Sequence, residues 1–126
     1  MKKLYTLSFI LLTTLSFGQT PISLTGVGDP YNQDFNGMGA TTTFPLGWTA
    51  INTNNGATLT MAVTDGSGTI TGNIYNVGTT SNTDRAFGTL ADATITPIFG
   101  AVFQNNTGST ATNILILSRM EQWKES

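Results

Sequence analysis

Apolar residues recur at every second position in three stretches of this chain, and no stretch repeats them at the 3.6-residue spacing of an amphipathic helix. In residues 57–64, Leu59, Met61 and Val63 alternate with small or hydroxyl-bearing residues. Residues 98–105 and 113–123 also alternate, with apolar side chains on both faces, which suits strands inside a sandwich. Because successive side chains of a strand point to opposite faces, a period of two predicts β-strands. The chain is therefore expected to be all-β.

Turn-forming residues separate these stretches. Asn36-Gly37 and Asn55-Gly56 tolerate positive φ and favour tight reversals. Residues 65–68 (Asp-Gly-Ser-Gly) end one predicted strand, and residues 105–109 join the last two strands as a hairpin-like connection. Short strands separated by turns at intervals of about ten residues are typical of an antiparallel β-sandwich. We predict that architecture.

Residues 1–18 have the layout of a secretory signal peptide. Lys2 and Lys3 precede an apolar stretch over residues 4–17, which ends in small side chains. Cleavage is expected between Gly18 and Gln19, and no cysteine follows that site to carry a lipid anchor. This signal-peptide helix is too short for a stable membrane span, which needs about 20 apolar residues. We therefore expect a secreted protein in which residues 19–126 form one β-sandwich module.

Cysteine and histidine are both absent. Without cysteine, an exported protein has no disulfides, and its stability depends on packing and strand pairing. The absence of both residues excludes thiolate nucleophiles, serine–histidine relays and ordinary zinc or copper sites. Acidic side chains outnumber basic ones seven to five, and two of the five leave with the signal peptide. This balance argues against nucleic acid and anionic membranes as partners, because both are bound through clusters of lysine and arginine.

Three segments carry a resemblance to a known group of exported proteins. The first segment contains Asp-Phe-Asn (residues 34–36) and Phe-Pro-Leu-Gly-Trp (residues 44–48). The second contains Gly-Asn-Ile-Tyr-Asn-Val-Gly (residues 72–78) and Asp-Arg-Ala-Phe-Gly (residues 84–88). The third contains Phe-Gln-Asn-Asn-Thr-Gly (residues 103–108) and Glu-Gln-Trp-Lys (residues 121–124). Their order and spacing resemble the N-terminal module of large secreted proteins from gliding Gram-negative bacteria, which often carry a C-terminal type IX sorting domain. The resemblance implies a jelly-roll-like sandwich similar to carbohydrate-binding modules.

The position of the last of these motifs departs from the family. The Glu-Gln-Trp-Lys stretch lies midway along the family's sandwich, whereas here it occupies residues 121–124 of 126. The chain is therefore expected to be a truncated front half of the domain, with its last apolar strand partly uncovered. Some family members carry a nuclease- or phosphatase-like domain downstream. Two alternatives follow: the N-terminal fragment of an extracellular hydrolase, and a fragment with no function of its own.

Two side chains are candidates for facing a ligand. Trp123, flanked by Gln122 and Lys124, is interpreted as an exposed ring that stacks on a sugar. Arg85 either orients a ligand or pins a loop, and a single arginine at the entrance to a strand favours the second role. Trp48 begins an apolar run and is expected in the core.

No catalytic residues are predicted. Glu121 and Glu125 form a close pair in sequence, but retaining glycosidases hold two carboxyl groups about 5–5.5 Å apart. Residues four apart in a strand lie about 13 Å apart. No cofactor is expected, although oxygen-rich loops at residues 29–34, 65–68 and 82–84 leave a structural Ca²⁺ as an alternative. The sequence thus predicts a non-catalytic module that binds or presents an extracellular polysaccharide, or forms part of a larger secreted protein.

Overall fold

Seven short strands and a single 3₁₀ turn make up the regular structure of the protein, in a computed structural model that describes residues 19–121. The strands are β1 (Ile22–Leu24), β2 (Trp48–Asn52), β3 (Ala62–Thr64), β4 (Asn73–Val77), β5 (Ala86–Leu90), β6 (Pro97–Ala101) and β7 (Phe103–Asn105), and the 3₁₀ turn is Asn36–Met38. The described residues contain no α-helix. The prediction of an all-β chain is confirmed.

The strands form three small hydrogen-bonded groups. β2 pairs with β6, β1 with β7, and β4 lies between β3 and β5. The β2–β6 and β4–β5 ladders are antiparallel, but β1–β7 and β3–β4 are parallel. The expectation of purely antiparallel pairing was therefore wrong. Alternation and turn residues predict where strands lie and where they end, but they carry no information on the direction of a partner distant in sequence.

The hydrophobic core lies between the β2–β6 ladder and the three-stranded group. Ala50 of β2 and Ile74 of β4 are almost fully buried and meet Met61 and Met38 there. Four partly buried side chains pack around this cluster: Phe35, Phe44, Leu59 and Phe87. Because Met38, the last residue of the 3₁₀ turn, lies in the core, the core anchors the irregular segment between β1 and β2.

The stretch predicted as one strand over residues 57–64 is divided between two groups. Thr58 forms an isolated bridge with Ile51 of β2, and only Ala62–Thr64 joins β4. A tight turn explains the first contact, because the amide of Asn52 donates to the carbonyl of Ala57 at 2.8 Å. Val63, expected to point inward, is 40% exposed.

The two later predicted strands also differ from expectation. Residues 98–105 form β6 and β7, interrupted at Val102, and their apolar side chains are not enclosed within a sandwich: Ile98, Phe99, Val102 and Phe103 are between 44% and 51% exposed. Residues 113–121 form no strand, and Ile114–Leu117 are between 82% and 86% exposed. Composition favoured a strand in this segment, but no described strand lies beside it to supply hydrogen bonds.

The N-terminal predictions concern residues that lie outside the described range. The signal peptide and Gly18 belong to that group, and Gln19 is the first described residue. Among the residues described, no helix has the length and apolar character needed to cross a membrane.

Candidate functional site

Five aromatic rings pack against one another on the side of the core where β2, β5 and β6 meet the segment before β2, and a hydrogen bond from Trp48 joins a further ring pair, Tyr31 and Phe103, to them. Phe35 stacks on Phe87 with ring centroids 5.2 Å apart, and Phe87 meets Phe99 edge-on at 4.8 Å. The members of this aromatic cluster are Tyr31, Phe35, Phe44, Trp48, Phe87, Phe99 and Phe103. Edge-to-face pairs of this kind hold rings in fixed orientations. The cluster is therefore a preorganised apolar surface, and Phe99 and Phe103 are nearly half exposed in it.

Tyr31 forms the outer edge of this cluster and joins it to a polar loop. Its ring meets Phe103 edge-on at 5.2 Å, and its hydroxyl accepts a hydrogen bond from Nε1 of Trp48 at 3.0 Å. Trp48 itself is half-buried and packs in the aromatic cluster, not among the buried core residues where it was expected. The contact with Phe103 and the hydrogen bond from Trp48 fix the orientation of the Tyr31 ring, and its remaining surface faces solvent.

The loop beside Tyr31 encloses a shallow hollow of about 370 Å³. Its lining comprises Tyr31, Asn32, Gln33, Asp34 and Leu117. The amide oxygen of Gln33 accepts from the backbone N–H of Phe35 at 2.8 Å, which fixes this side chain within the loop. The hollow therefore combines an aromatic wall with amide and carboxylate groups, and Gln33 is held in place by the fold.

A second hollow of about 390 Å³ adjoins the first through Gln33. It is lined by Gln33, Gly37, Met38, Thr41, Thr43, Phe44 and Pro45. The hydroxyl of Thr41 donates to the carbonyl of Met38 at 2.8 Å, so part of its polar lining is committed to the fold. The two hollows form a single irregular surface along residues 31–45.

Phe35 holds the loop in its unusual shape. Its φ of 64° places a bulky residue in the left-handed region, which costs of order 1–3 kcal/mol when the residue is not glycine. The amide of Asn36, next in the chain, donates to a carboxylate oxygen of Asp34 at 3.0 Å. Because the Phe35 ring is packed against Trp48 and Phe87, ring packing and local hydrogen bonds together maintain this strained conformation next to the hollows.

Arg85 is buried, with 3% of its surface exposed. Its guanidinium donates through Nη1 to the carbonyl of Gly78 and through Nη2 to that of Thr79, both at 2.9 Å. Its backbone amide donates to Oδ1 of Asn36 at 2.8 Å. This geometry matches the loop-pinning role and not the ligand-orienting one, and it leaves little of the side chain to face a ligand. The Arg85 side chain instead fixes the loop at Gly78 and Thr79, while its backbone amide bonds to Asn36 in the 3₁₀ turn.

The oxygen-rich loop at residues 29–34 supplies part of this surface. Trp123 and Glu125 lie outside the described residues. The oxygen-rich loops hold their own turns: Asp65 accepts from the Ser67 hydroxyl and amide, which lowers the pKa of the Asp65 carboxyl, and Asn82 accepts from the amide of Asp84. Within the described range, no three acidic side chains gather as a metal site would require.

Asp92 is an anchor that sequence reasoning missed. Its carboxylate accepts the backbone N–H groups of Thr94, Ile95 and Gly72, each at 2.8 Å, and the Thr94 hydroxyl at 2.9 Å. These donors, with the Thr94 amide contributing most, lower the pKa of Asp92 to about 2. The local signal was an aspartate two residues before a threonine, which is typical of an Asx turn, but the bond to Gly72 depends on tertiary structure.

Tyr31 was also missed, although an aromatic residue followed by Asn, Gln and Asp offered a weak signal for a polar loop with a ring at its edge.

Comparison of this chain with protein-family models, curated proteins and solved structures found no match.

Proposed function

We propose that the mature chain is a secreted, non-catalytic β-sandwich module that binds an extracellular polysaccharide, or presents a larger secreted protein on one. The observation that carries this proposal is the juxtaposition of Tyr31 with the polar hollow formed by Asn32, Gln33 and Asp34. Pyranose rings have an apolar face that stacks on aromatic side chains and hydroxyls that bond to amides and carboxylates. The Tyr31 surface offers both kinds of contact within one hollow.

The fixed orientation of these groups supports binding. Trp48 holds the Tyr31 hydroxyl, and the backbone of Phe35 holds Gln33. A surface whose side chains are already ordered loses less conformational entropy when a ligand binds. The shallow, open shape of the two hollows suits an extended polymer that contacts several residues along residues 31–45.

The composition supports a non-catalytic role. The chain contains no histidine or cysteine, so a thiolate nucleophile and an imidazole proton shuttle are missing from its sequence. Asp34, the carboxylate in the hollow, is engaged with the amide of Asn36 at 3.0 Å. A single carboxylate in this position orients a hydroxyl group but lacks the partner that glycoside hydrolysis requires.

The sandwich and the secretion are parts of the same proposal. Core side chains from β2 and β4 face one another across Met38 and Met61, which supports two packed layers. The basic start, apolar stretch and small residues before Gln19 support export with removal of residues 1–18.

Binding to insoluble polysaccharides tests the proposal. The purified chain from Gln19 is incubated with a panel of neutral and acidic polysaccharides, and the bound fraction is measured. We expect retention on at least one polymer and a loss of about tenfold or more in affinity for Tyr31→Ala, which corresponds to the loss of a stacking contact of about 1.4 kcal/mol. Tyr31→Phe, which keeps the ring, is expected to retain most of the affinity. Equal binding by Tyr31→Ala would overturn the placement of the site.

A further inference from the structure

β6 and β7 use only one of their two hydrogen-bonding edges. β6 pairs with β2 and β7 with β1, and no other described strand is paired with either. The N–H of Val102 donates to the carbonyl of Gly47 at 2.8 Å, and its carbonyl accepts from the amide of Ile22 at 2.8 Å. In an extended chain the N–H and C=O of one residue point to the same side. Both partners therefore lie on one side, and the opposite edge, over residues 97–105, is open.

This open edge lacks the usual protection. Natural proteins shield the edges of their sheets with charged side chains, especially lysine, which oppose pairing with another chain. Residues 93–118 contain no charged residue. Ile98, Phe99, Val102 and Phe103 along the edge are between 44% and 51% exposed. The edge thus offers unpaired backbone groups beside apolar side chains, with no charge to repel an incoming strand.

The same chain carries a segment suited to that edge. Residues 113–117, here called the apolar segment, read Asn-Ile-Leu-Ile-Leu, and the four aliphatic side chains are between 82% and 86% exposed. Its backbone forms no hydrogen bond with any residue in the described part of the chain. β-branched and aliphatic residues favour strands where a partner is available. The apolar segment therefore has the composition of a strand but no strand partner, and only Leu117 at its end lines the hollow beside Tyr31.

We propose that two copies of this chain form a dimer in which the apolar segment of each copy adds as a strand to the open β6–β7 edge of the other. Strand addition satisfies the free backbone groups of both participants and covers the apolar side chains on both. Each copy carries both the segment and the edge, so two copies can exchange segments reciprocally and close a two-fold assembly.

The buried area favours reciprocal exchange over a single contact. A large aliphatic side chain removes on the order of 100 Å² of apolar surface from water when it is buried. Four such side chains and an equal area of the receiving edge bury roughly 800 Å², which is the size of a crystal contact. Two equivalent exchanges bury roughly 1,600 Å², the usual size of a stable and specific interface.

Sedimentation equilibrium of the purified chain over a range of concentrations tests this proposal. Leu115→Lys places a charge in the middle of the apolar segment, and we expect it to raise the dimer dissociation constant by about 100-fold or more. Met120→Lys is the matched control, since Met120 is 94% exposed and lies beyond the segment. It is expected to leave the dissociation constant within about threefold of the parent value.

A second variant tests the receiving edge. Ala101→Pro removes an N–H that points toward the open edge, and proline is accepted on such edges, so the monomer is expected to fold while dimerisation weakens by about tenfold or more. Circular dichroism identifies any variant that has not folded. A dimer that is weakened by Leu115→Lys and Ala101→Pro but not by Met120→Lys supports the proposal. A monomeric parent chain, a dimer unaffected by either variant, or assembly beyond two copies would overturn it.

Discussion

Trp48 and Tyr31, 17 residues apart in sequence, are joined by a hydrogen bond of 3.0 Å from the indole Nε1 to the phenol oxygen. This bond connects β2 of the core to the loop that carries the candidate binding surface. Phe35, in the left-handed conformation between them, packs its ring against Trp48 with centroids 4.9 Å apart. The shape of the loop is therefore determined by the core, and the surface at Tyr31 is coupled to the stability of the fold.

The Trp48–Tyr31 bond is expected to contribute about 1 kcal/mol to the free energy of unfolding. A double-mutant cycle of Trp48→Phe and Tyr31→Phe, measured by urea denaturation, isolates this coupling from the loss of indole volume. A coupling energy between about 0.5 and 1.5 kcal/mol is the predicted result. A coupling near zero would show that the hydrogen bond does not hold the loop to β2.

Replacement of Arg85 by methionine is expected to lower the free energy of unfolding by about 3 kcal/mol. The change removes two hydrogen bonds from a charged donor and leaves the carbonyls of Gly78 and Thr79 without these partners. Arg119→Met is the matched control, because it removes the same charge from an exposed position. The free energies of unfolding of the two variants, measured by chemical denaturation, should differ by at least about 2 kcal/mol. Equal effects of the two substitutions would contradict the pinning role of Arg85.

Met61→Ala is expected to destabilise the protein by about 3 kcal/mol, because Met61 is 1% exposed at the centre of the core cluster. Met120→Ala makes the same chemical change at a side chain that is 94% exposed, and an effect within about 0.5 kcal/mol is predicted. Thermal unfolding followed by circular dichroism compares the two. Similar melting temperatures for the two variants would show that Met61 does not lie in the hydrophobic core.

The Asp92 carboxylate makes stability depend on acid pH. Backbone amides lower its pKa to about 2 in the folded chain, below the ordinary value of 3.8. A depressed carboxyl pKa contributes stability that is fully present above about pH 4 and is lost as the pH falls toward about 2. Asp92→Asn should therefore reduce the free energy of unfolding at pH 7. It should also make that free energy fall less steeply between about pH 4 and pH 2, as measured by denaturation at a series of pH values.

The all-β character could be predicted from sequence, because alternation and turn residues are local signals. Residues 65–68 illustrate the limit: they end β3 as predicted, but the connection over residues 65–72 leads to a β4 that pairs with β3 in the parallel direction. Residues 113–117 illustrate a second limit. Their composition favours a strand, but a strand needs a neighbour with free backbone groups, and composition says nothing about where that neighbour is.

The candidate surface was harder to predict for a related reason. Tyr31 acquires its role through contacts with Trp48 and Phe103, which are distant in the chain. Arg85 was recognised as a residue that either orients a ligand or pins a loop, and its burial against the carbonyls of Gly78 and Thr79 matches the second role. Tertiary contacts of this kind leave no local pattern in a single sequence.

The measurement that tests the account most directly is a titration of the ¹⁵N-labelled chain with soluble oligosaccharides, followed through the indole N–H signals in two-dimensional NMR spectra. The chain has two tryptophans, Trp48 and Trp123, and the Trp48 indole is bonded to Tyr31 at the proposed surface. The account predicts a saturable shift of the Trp48 signal with at least one oligosaccharide, and loss of that shift in Tyr31→Ala. A panel that shifts neither signal, or shifts the Trp123 signal alone, would contradict it.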